Sequence, residues 1–264
     1  MEKKNQNRID RLFRSKNRNI LSVYFTAGYP GLNDTAVIIQ ELQKSGADLI
    51  EIGIPFSDPT ADGPTIQYTN QAALKNGMNL KLLFSQLEDI RGKVDIPLIM
   101  MGYFNPVLQF GVESFCRQCS QTGIDGVILP DLPLQEFDKH YRNIFNRYDL
   151  YNILLISPQT SGERVRQIDK STGGFIYMVS SSSTTGEGKR AEDFNRSYFE
   201  RINNMDLKHP RLIGFGISDK TTFENACNYA NGAIIGSAFV KSLKPGEHLK
   251  RSVQEFTGSI LTAV

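Results

Sequence analysis

Leu49-Ile50-Glu51-Ile52-Gly53-Ile54-Pro55 is the stretch whose reading decides the fold. It is short, nearly all apolar and rich in β-branched residues, as a parallel strand buried on both faces should be. A helical pattern precedes it. Asn33 and Asp34 stand as candidate caps for a helix over 33–45, Val37, Ile38 and Leu42 share one face, and Gly46 supplies a stop signal. The same alternation runs along the chain. Apolar runs lie at 20–25, 49–54, 97–101, 126–129, 151–156, 174–179, 211–215 and 233–235. Helical spacing fills 65–76, 79–91, 112–122, 134–147, 163–170, 194–205, 219–230 and 247–262. Eight strands alternating with helices imply an α/β fold with a parallel sheet, and eight strands in 264 residues suit a closed (β/α)8 TIM barrel. An open doubly wound sheet is the alternative. It is weakened because Thr26-Ala27-Gly28-Tyr29-Pro30, rather than GxGxxG, follows the first strand.

Composition narrows the function classes. Hydrophobic residues make up 40% and the net charge is +2, which excludes a disordered chain. No run of about 18 apolar residues suggests a membrane span. Three cysteines argue against a disulfide framework and fit a reducing, cytoplasmic setting. Residues 1–18 carry seven basic and two acidic residues, while the remainder has 23 basic against 26 acidic. Ile9, Leu12 and Phe13 put one apolar stripe on that basic start, so it reads as an extra N-terminal helix covering one end of the core. The charge balance leaves no footprint for nucleic acid. No Pro/Gly/Ser-rich linker divides the chain, and 1–264 reads as one barrel domain.

In a barrel the chemistry belongs at the C-terminal ends of the strands. Alternation places Leu49, Glu51 and Gly53 on one face and the three isoleucines on the other, which aims Glu51 inward with Gly53 leaving space beside it. A carboxylate in an apolar strand is either a buried ion-pair member or an acid/base group whose pKa its surroundings set. The following loop, Pro55 to Gln67, carries Asp58 and Asp62 amid Pro and Gly. Turn and cap roles would explain one acid there; two beside Glu51 favour chemistry. Gly214-Phe215-Gly216-Ile217-Ser218 and Gly236-Ser237-Ala238 end strands 7 and 8, where barrels often bind phosphate on backbone N–H groups. Tight turns alone are the other explanation of these glycines. Ser180-Ser181-Ser182-Ser183-Thr184-Thr185-Gly186-Glu187-Gly188 reads as a long mobile loop of the kind that forms lids, with Gly186 able to add donors. The pair Cys116 and Cys119 falls in a helix without further metal ligands, and His140, His209 and His248 are scattered. No strand interior carries a lysine for Schiff-base chemistry, so no metal or organic cofactor is implied for this chain.

At these residues the sequence resembles the α subunit family of tryptophan synthase. Pro55-Phe56-Ser57-Asp58-Pro59-Thr60-Ala61-Asp62-Gly63-Pro64-Thr65-Ile66-Gln67 is similar to the family signature PFSDPxADGPxIQ. Met101 to Pro106, Asp131-Leu132-Pro133 and the two glycine-rich strand ends also fit. The resemblance spans essentially the whole chain. It implies a (β/α)8 barrel with an extra N-terminal helix and a retro-aldol cleavage of indole-3-glycerol phosphate to indole and glyceraldehyde 3-phosphate. Glu51 would be the general acid/base, and Asp62 would accept from the indole N–H. Gly186, Gly216, Gly236 and Ser237 would hold phosphate. Tyr24, Ile66, Ile128 and Tyr177 would line the indole pocket, Tyr103 belongs to the matching loop, and Thr185 with Gly186 would order the lid. The family partner is a pyridoxal-phosphate β subunit in a complex of two α and two β chains, which receives the indole. Asp58 and the loops at 55–62, 103–110 and 131–135 would face it. The run of four serines departs from the family's VTGVTG-like loop. A free-standing lyase and a non-catalytic barrel that activates a β subunit are the alternatives to the partnered enzyme.

Overall fold

Side-chain alternation sorts the strands of this protein into an inner and an outer face. The computed structural model describes residues 7–180 and 196–261. Within them, β1 (Ile20–Thr26) runs parallel to β2 (Leu49–Gly53), with Tyr24 opposite Glu51. β3 (Leu98–Met101), β4 (Gly126–Ile128), β5 (Tyr151–Ile156), β6 (Ile176–Val179), β7 (Arg211–Gly214) and β8 (Gly232–Ile235) follow in order. All neighbours are parallel, and β8 pairs with β1 to close the barrel. The open-sheet alternative is thereby excluded.

Two apolar layers hold the barrel. Ile20, Leu49, Ile99, Ile128, Ile153 and Leu212 are among the residues packed inside it. Leu21, Val23, Phe25, Ile50 and Ile52 belong to the outer layer, beneath the helices. Each such side chain contributes about 1.5–3 kcal/mol when fully buried. The inward placement read for Leu49, Glu51 and Gly53 therefore matches the packing.

Helix α1 (Arg8–Ser15) is stapled across the N-terminal ends of the strands. Asn7 caps it by accepting from the Ile9 N–H at 2.9 Å, and its amide donates to the Asp125 carbonyl at 2.9 Å. Ile9 is fully buried in the inner layer. Arg8 pairs with Asp125 at 3.0 Å, Lys16 with Asp48 at 2.6 Å, and the Tyr151 hydroxyl donates to Asp10 at 2.7 Å. Helix ends at Ser15, so 16–18 fall outside it, and 1–6 lie outside the described residues.

The outer ring holds α2 (Thr35–Lys44), α3 (Pro64–Lys75) and α4 (Leu80–Leu87). Two further helices were not anticipated from spacing. α5 (Phe104–Phe110) carries Pro106 in its first turn, where a missing N–H is harmless, and it stops at Gly111 with φ 88°. Next in order are α6 (Val112–Thr122), α7 (Leu134–Glu136) and α8 (Arg142–Arg147). A π-helical turn, Phe137–Tyr141, joins α7 to α8, so the helix expected over 134–147 is broken in its middle. α9 (Gly162–Ser171), α10 (Arg196–Asn203) and α11 (Lys220–Cys227) complete the strand-to-strand crossovers. The second unanticipated helix, α12 (Ser237–Ser242), begins directly after β8, and α13 (Leu249–Leu261) ends the described chain. Among the described residues, no helix is long and apolar enough to cross a membrane.

Candidate active site

Glu51 sits on the inner face of β2 and is fully buried. The Ser22 hydroxyl of β1 donates to its Oε1 at 2.9 Å, while Oε2 has no partner. One hydrogen bond does not replace the lost hydration of a carboxylate. Burial therefore dominates and pushes the Glu51 carboxyl up to about 8, against the lowering effect of Ser22. No cation pairs with it, so of the two sequence readings the ion-pair role is excluded among the described residues.

Asp62 stands at the C-terminal end of the barrel on the loop after β2. The loop turns through an Asp62 N–H to Pro59 carbonyl bond of 3.1 Å. Gly63 then precedes Pro64 at the first position of α3, a helix start that suits proline. Gln67 donates to the Asp62 carbonyl at 2.9 Å and so ties the loop to α3. Tyr103 links it to the loop after β3. Its hydroxyl accepts from the Ala61 N–H at 2.9 Å and donates to Asp62 Oδ2 at 3.2 Å. The Phe56 and Tyr103 rings stack at 5.1 Å. Burial raises the Asp62 carboxyl to about 6, with Tyr103 opposing the rise. A loop position alone suggests a lower value; the walls around it account for the difference. Asp58 is exposed and accepts from Ser57.

A cavity of about 370 Å³ opens beside Asp62. Tyr24, Asp62 and Tyr103 lie on its wall. Met101, Leu155 and Phe215 add apolar surface that sequence reasoning missed. They occupy strand ends, so strand position was the signal that could have found them. Glu51 lies buried behind this wall, next to Tyr24 across the β1–β2 pairing. Tyr177 is buried and meets Phe215 edge-on at 6.4 Å. Ile66 on α3 and Ile128 at the end of β4 are both buried among apolar side chains.

Two glycines make room for two tyrosines. A Cβ on Gly53 would lie 2.3 Å from Tyr24 Oη, and one on Gly214 would lie 2.1 Å from Tyr177 Oη. The space that Gly53 leaves beside Glu51 is thus filled by the Tyr24 ring. Gly216 and Gly236 lie two residues beyond the register pair Gly214–Ile234, at the same end of neighbouring strands. Gly216 has φ 74°, a conformation that favours glycine. Gly236 caps α12, and Ser237 opens it with N–H groups that have no intrahelical acceptor. These positions can converge on an anion. Thr185 and Gly186 lie outside the described residues.

Cys116 and Cys119 are buried in α6, and burial pushes the Cys116 thiol up to about 12. His209 accompanies Asp169 just before β7, at the end of the barrel opposite the cavity. No group of three metal-ligating side chains occurs among the described residues.

Known proteins of similar sequence and shape point one way. The family model described as tryptophan synthase alpha chain matches residues 11–260. The tryptophan synthase alpha chain of Flavobacterium johnsoniae is 57% identical over 245 residues, covering 93% of this chain and 96% of that one. The alpha chain of Bacteroides fragilis is 55% identical over 247 residues, covering 94% of both. The crystal structure of tryptophan synthase subunit alpha from Legionella pneumophila aligns at a TM-score of 0.85 with 32% identity, covering 97% of each chain.

Proposed function

The chain belongs to the tryptophan synthase alpha chain family, and from that premise we propose that Glu51 and Asp62 are the acid–base pair of its reaction. That reaction makes the protein a carbon–carbon lyase, which splits indole-3-glycerol phosphate into indole and glyceraldehyde 3-phosphate. One observation carries the assignment: a fully buried carboxyl with a single hydrogen bond and no cation partner, behind a cavity whose wall carries a second carboxyl.

The chemistry follows from those two carboxyls. Protonated Glu51 gives its proton to the ring carbon that bears the side chain. Positive charge then develops on the ring nitrogen, and Asp62, accepting from that N–H, stabilises it. Glu51, now a carboxylate, takes the proton from the hydroxyl on the adjoining side-chain carbon. The O–H electrons form the aldehyde carbonyl, the carbon–carbon bond breaks, and its electrons restore the aromatic ring. Glu51 ends protonated again, so the cycle needs no external proton. Tyr24, Tyr103 and Tyr177 shape the indole side, with Met101, Leu155 and Phe215 as further wall. Ile66 and Ile128 line the same side. Gly216, Gly236 and Ser237 hold the phosphate; Thr185 and Gly186, which the family resemblance adds to them, lie outside the described residues. A site of backbone donors agrees with a chain whose net charge is only +2.

The family implies a β-subunit partner. We read the assembly as two α and two β chains in the cytoplasm, with pyridoxal phosphate confined to β and none in this chain. Residues 1–264 act as one barrel domain in that assembly. Asp58 and α5, with exposed Leu108, belong to the face that meets β.

Indole release from indole-3-glycerol phosphate, measured with and without a β subunit, tests this reading. Strong activation by β is expected. Full turnover by the chain alone would mark a free-standing lyase, and no cleavage under either condition would mark a non-catalytic activator. Asp62→Asn should lower kcat by about 10²–10³-fold in the same assay, the usual loss for one preorganised electrostatic group.

A further inference from the structure

β1 brings a second polar side chain into the barrel that the mechanism above leaves without a task. Ser22 is fully buried. It lies two residues from Ile20 of the inner apolar layer and two from Tyr24 of the cavity wall. Alanine would fill that place equally well by size. The hydroxyl is what its neighbour uses: Oγ donates to Glu51 Oε1 at 2.9 Å. Glu51 Oε2 is buried without a partner.

The two carboxyl oxygens are therefore unequal. A neutral carboxyl has one carbonyl-type oxygen that accepts and one hydroxyl that donates. A donor fixed on Oε1 makes Oε1 the carbonyl and leaves the proton on Oε2. From this geometry we infer that Ser22 is a positioning residue for Glu51, pinning Oε1 and presenting the transferable proton on Oε2. The inference rests on Glu51 being the proton donor.

Ser22 also favours the carboxylate, because its hydrogen bond is stronger to the charged form. Removing it raises the Glu51 pKa further above about 8. Among the described residues, the other titratable groups facing this carboxyl are Tyr24 from β1 and Tyr177 from β6, whose phenols burial holds above their usual range. β3 presents Ile99 in register. Asp62, on the loop after β2, acts on those two phenols, and Tyr103 from the loop after β3 acts on Tyr24. The alkaline limb of the rate profile thus reports Glu51.

The test measures kcat and KM for indole-3-glycerol phosphate cleavage against pH, in the complex with a β subunit. Ser22→Ala should lower kcat about tenfold, the scale of one hydrogen bond to an ionisable group. KM should hold, and the alkaline limb should move to higher pH. Ser22→Thr, which keeps the hydroxyl, should return the limb toward its original place. If the alanine protein does not fold, Ser22→Cys, a weak donor of similar size, should show the same upward shift. A limb that stays in place in the folded variant overturns the inference whatever happens to kcat, as does a threonine variant that behaves like alanine. Glu51→Gln in parallel separates the two claims. Turnover retained there sinks the role of Glu51 itself, whereas its loss beside an unmoved Ser22→Ala limb sinks only the role of Ser22.

Discussion

Glu51 and Asp62 are both raised by burial, but to different degrees, and the difference defines a working window. Glu51 titrates at about 8 and Asp62 at about 6. Between those values the acid is protonated and its partner ionised, which is the combination the chemistry needs. A bell-shaped kcat/KM profile with limbs near these two values is expected, and Asp62→Asn should remove the acid limb. A flat profile across the window would contradict the pairing. Stability should carry the same mark. The folded protein holds the Glu51 proton that an unfolded chain releases from its ordinary value of 4.5 upward. Native stability is therefore lost as pH rises from that value through about 8. Glu51→Gln removes this penalty. Its melting temperature should gain on that of the parent protein across this range and level off above it.

The tyrosine–glycine pairs show what is settled at the level of elements. Tyr24 of β1 fills the space over Gly53 of β2, and Tyr177 of β6 fills that over Gly214 of β7. Gly53→Ala sets a methyl against a ring wedged in the cavity wall. Such overpacking costs about 1–3 kcal/mol. Denaturant unfolding should show that loss with reduced turnover; an unchanged midpoint would mean that Tyr24 moves freely. Such a pairing is not legible in the sequence of one strand alone. A period of two places Glu51 inside β2 without any knowledge of contacts, because strand geometry enforces it. Whether a strand-end glycine admits a ring or an anion depends on the next strand's side chain and on register. Gly214 sat in a segment read for phosphate, and the structure gives it to Tyr177. α5 and α12 escaped notice because seven and six residues are too few to establish a helical period. Ser22 was legible by the rule that found Glu51, a polar residue on the inner face of an apolar strand.

The whole molecule divides its labour between two ends. The C-terminal end of the barrel holds the acids, the cavity and the glycine-rich loops. The N-terminal end is closed by α1 through Ile9, the Arg8–Asp125 pair and the Asp10–Tyr151 contact. Ile9→Ala should cost about 2–5 kcal/mol, as large-to-small changes in packed cores do. It should leave kcat of the folded protein unchanged; a matching fall in kcat would show that the two ends are coupled. The central claim concerns a single proton carried by one buried carboxyl. Its most direct test is indole release from indole-3-glycerol phosphate by folded Glu51→Gln protein in complex with a β subunit, beside the parent protein. The account predicts a loss of about 10²–10⁴-fold, the contribution of one general acid/base, with no loss of thermal stability. Turnover equal to that of the parent protein would contradict it.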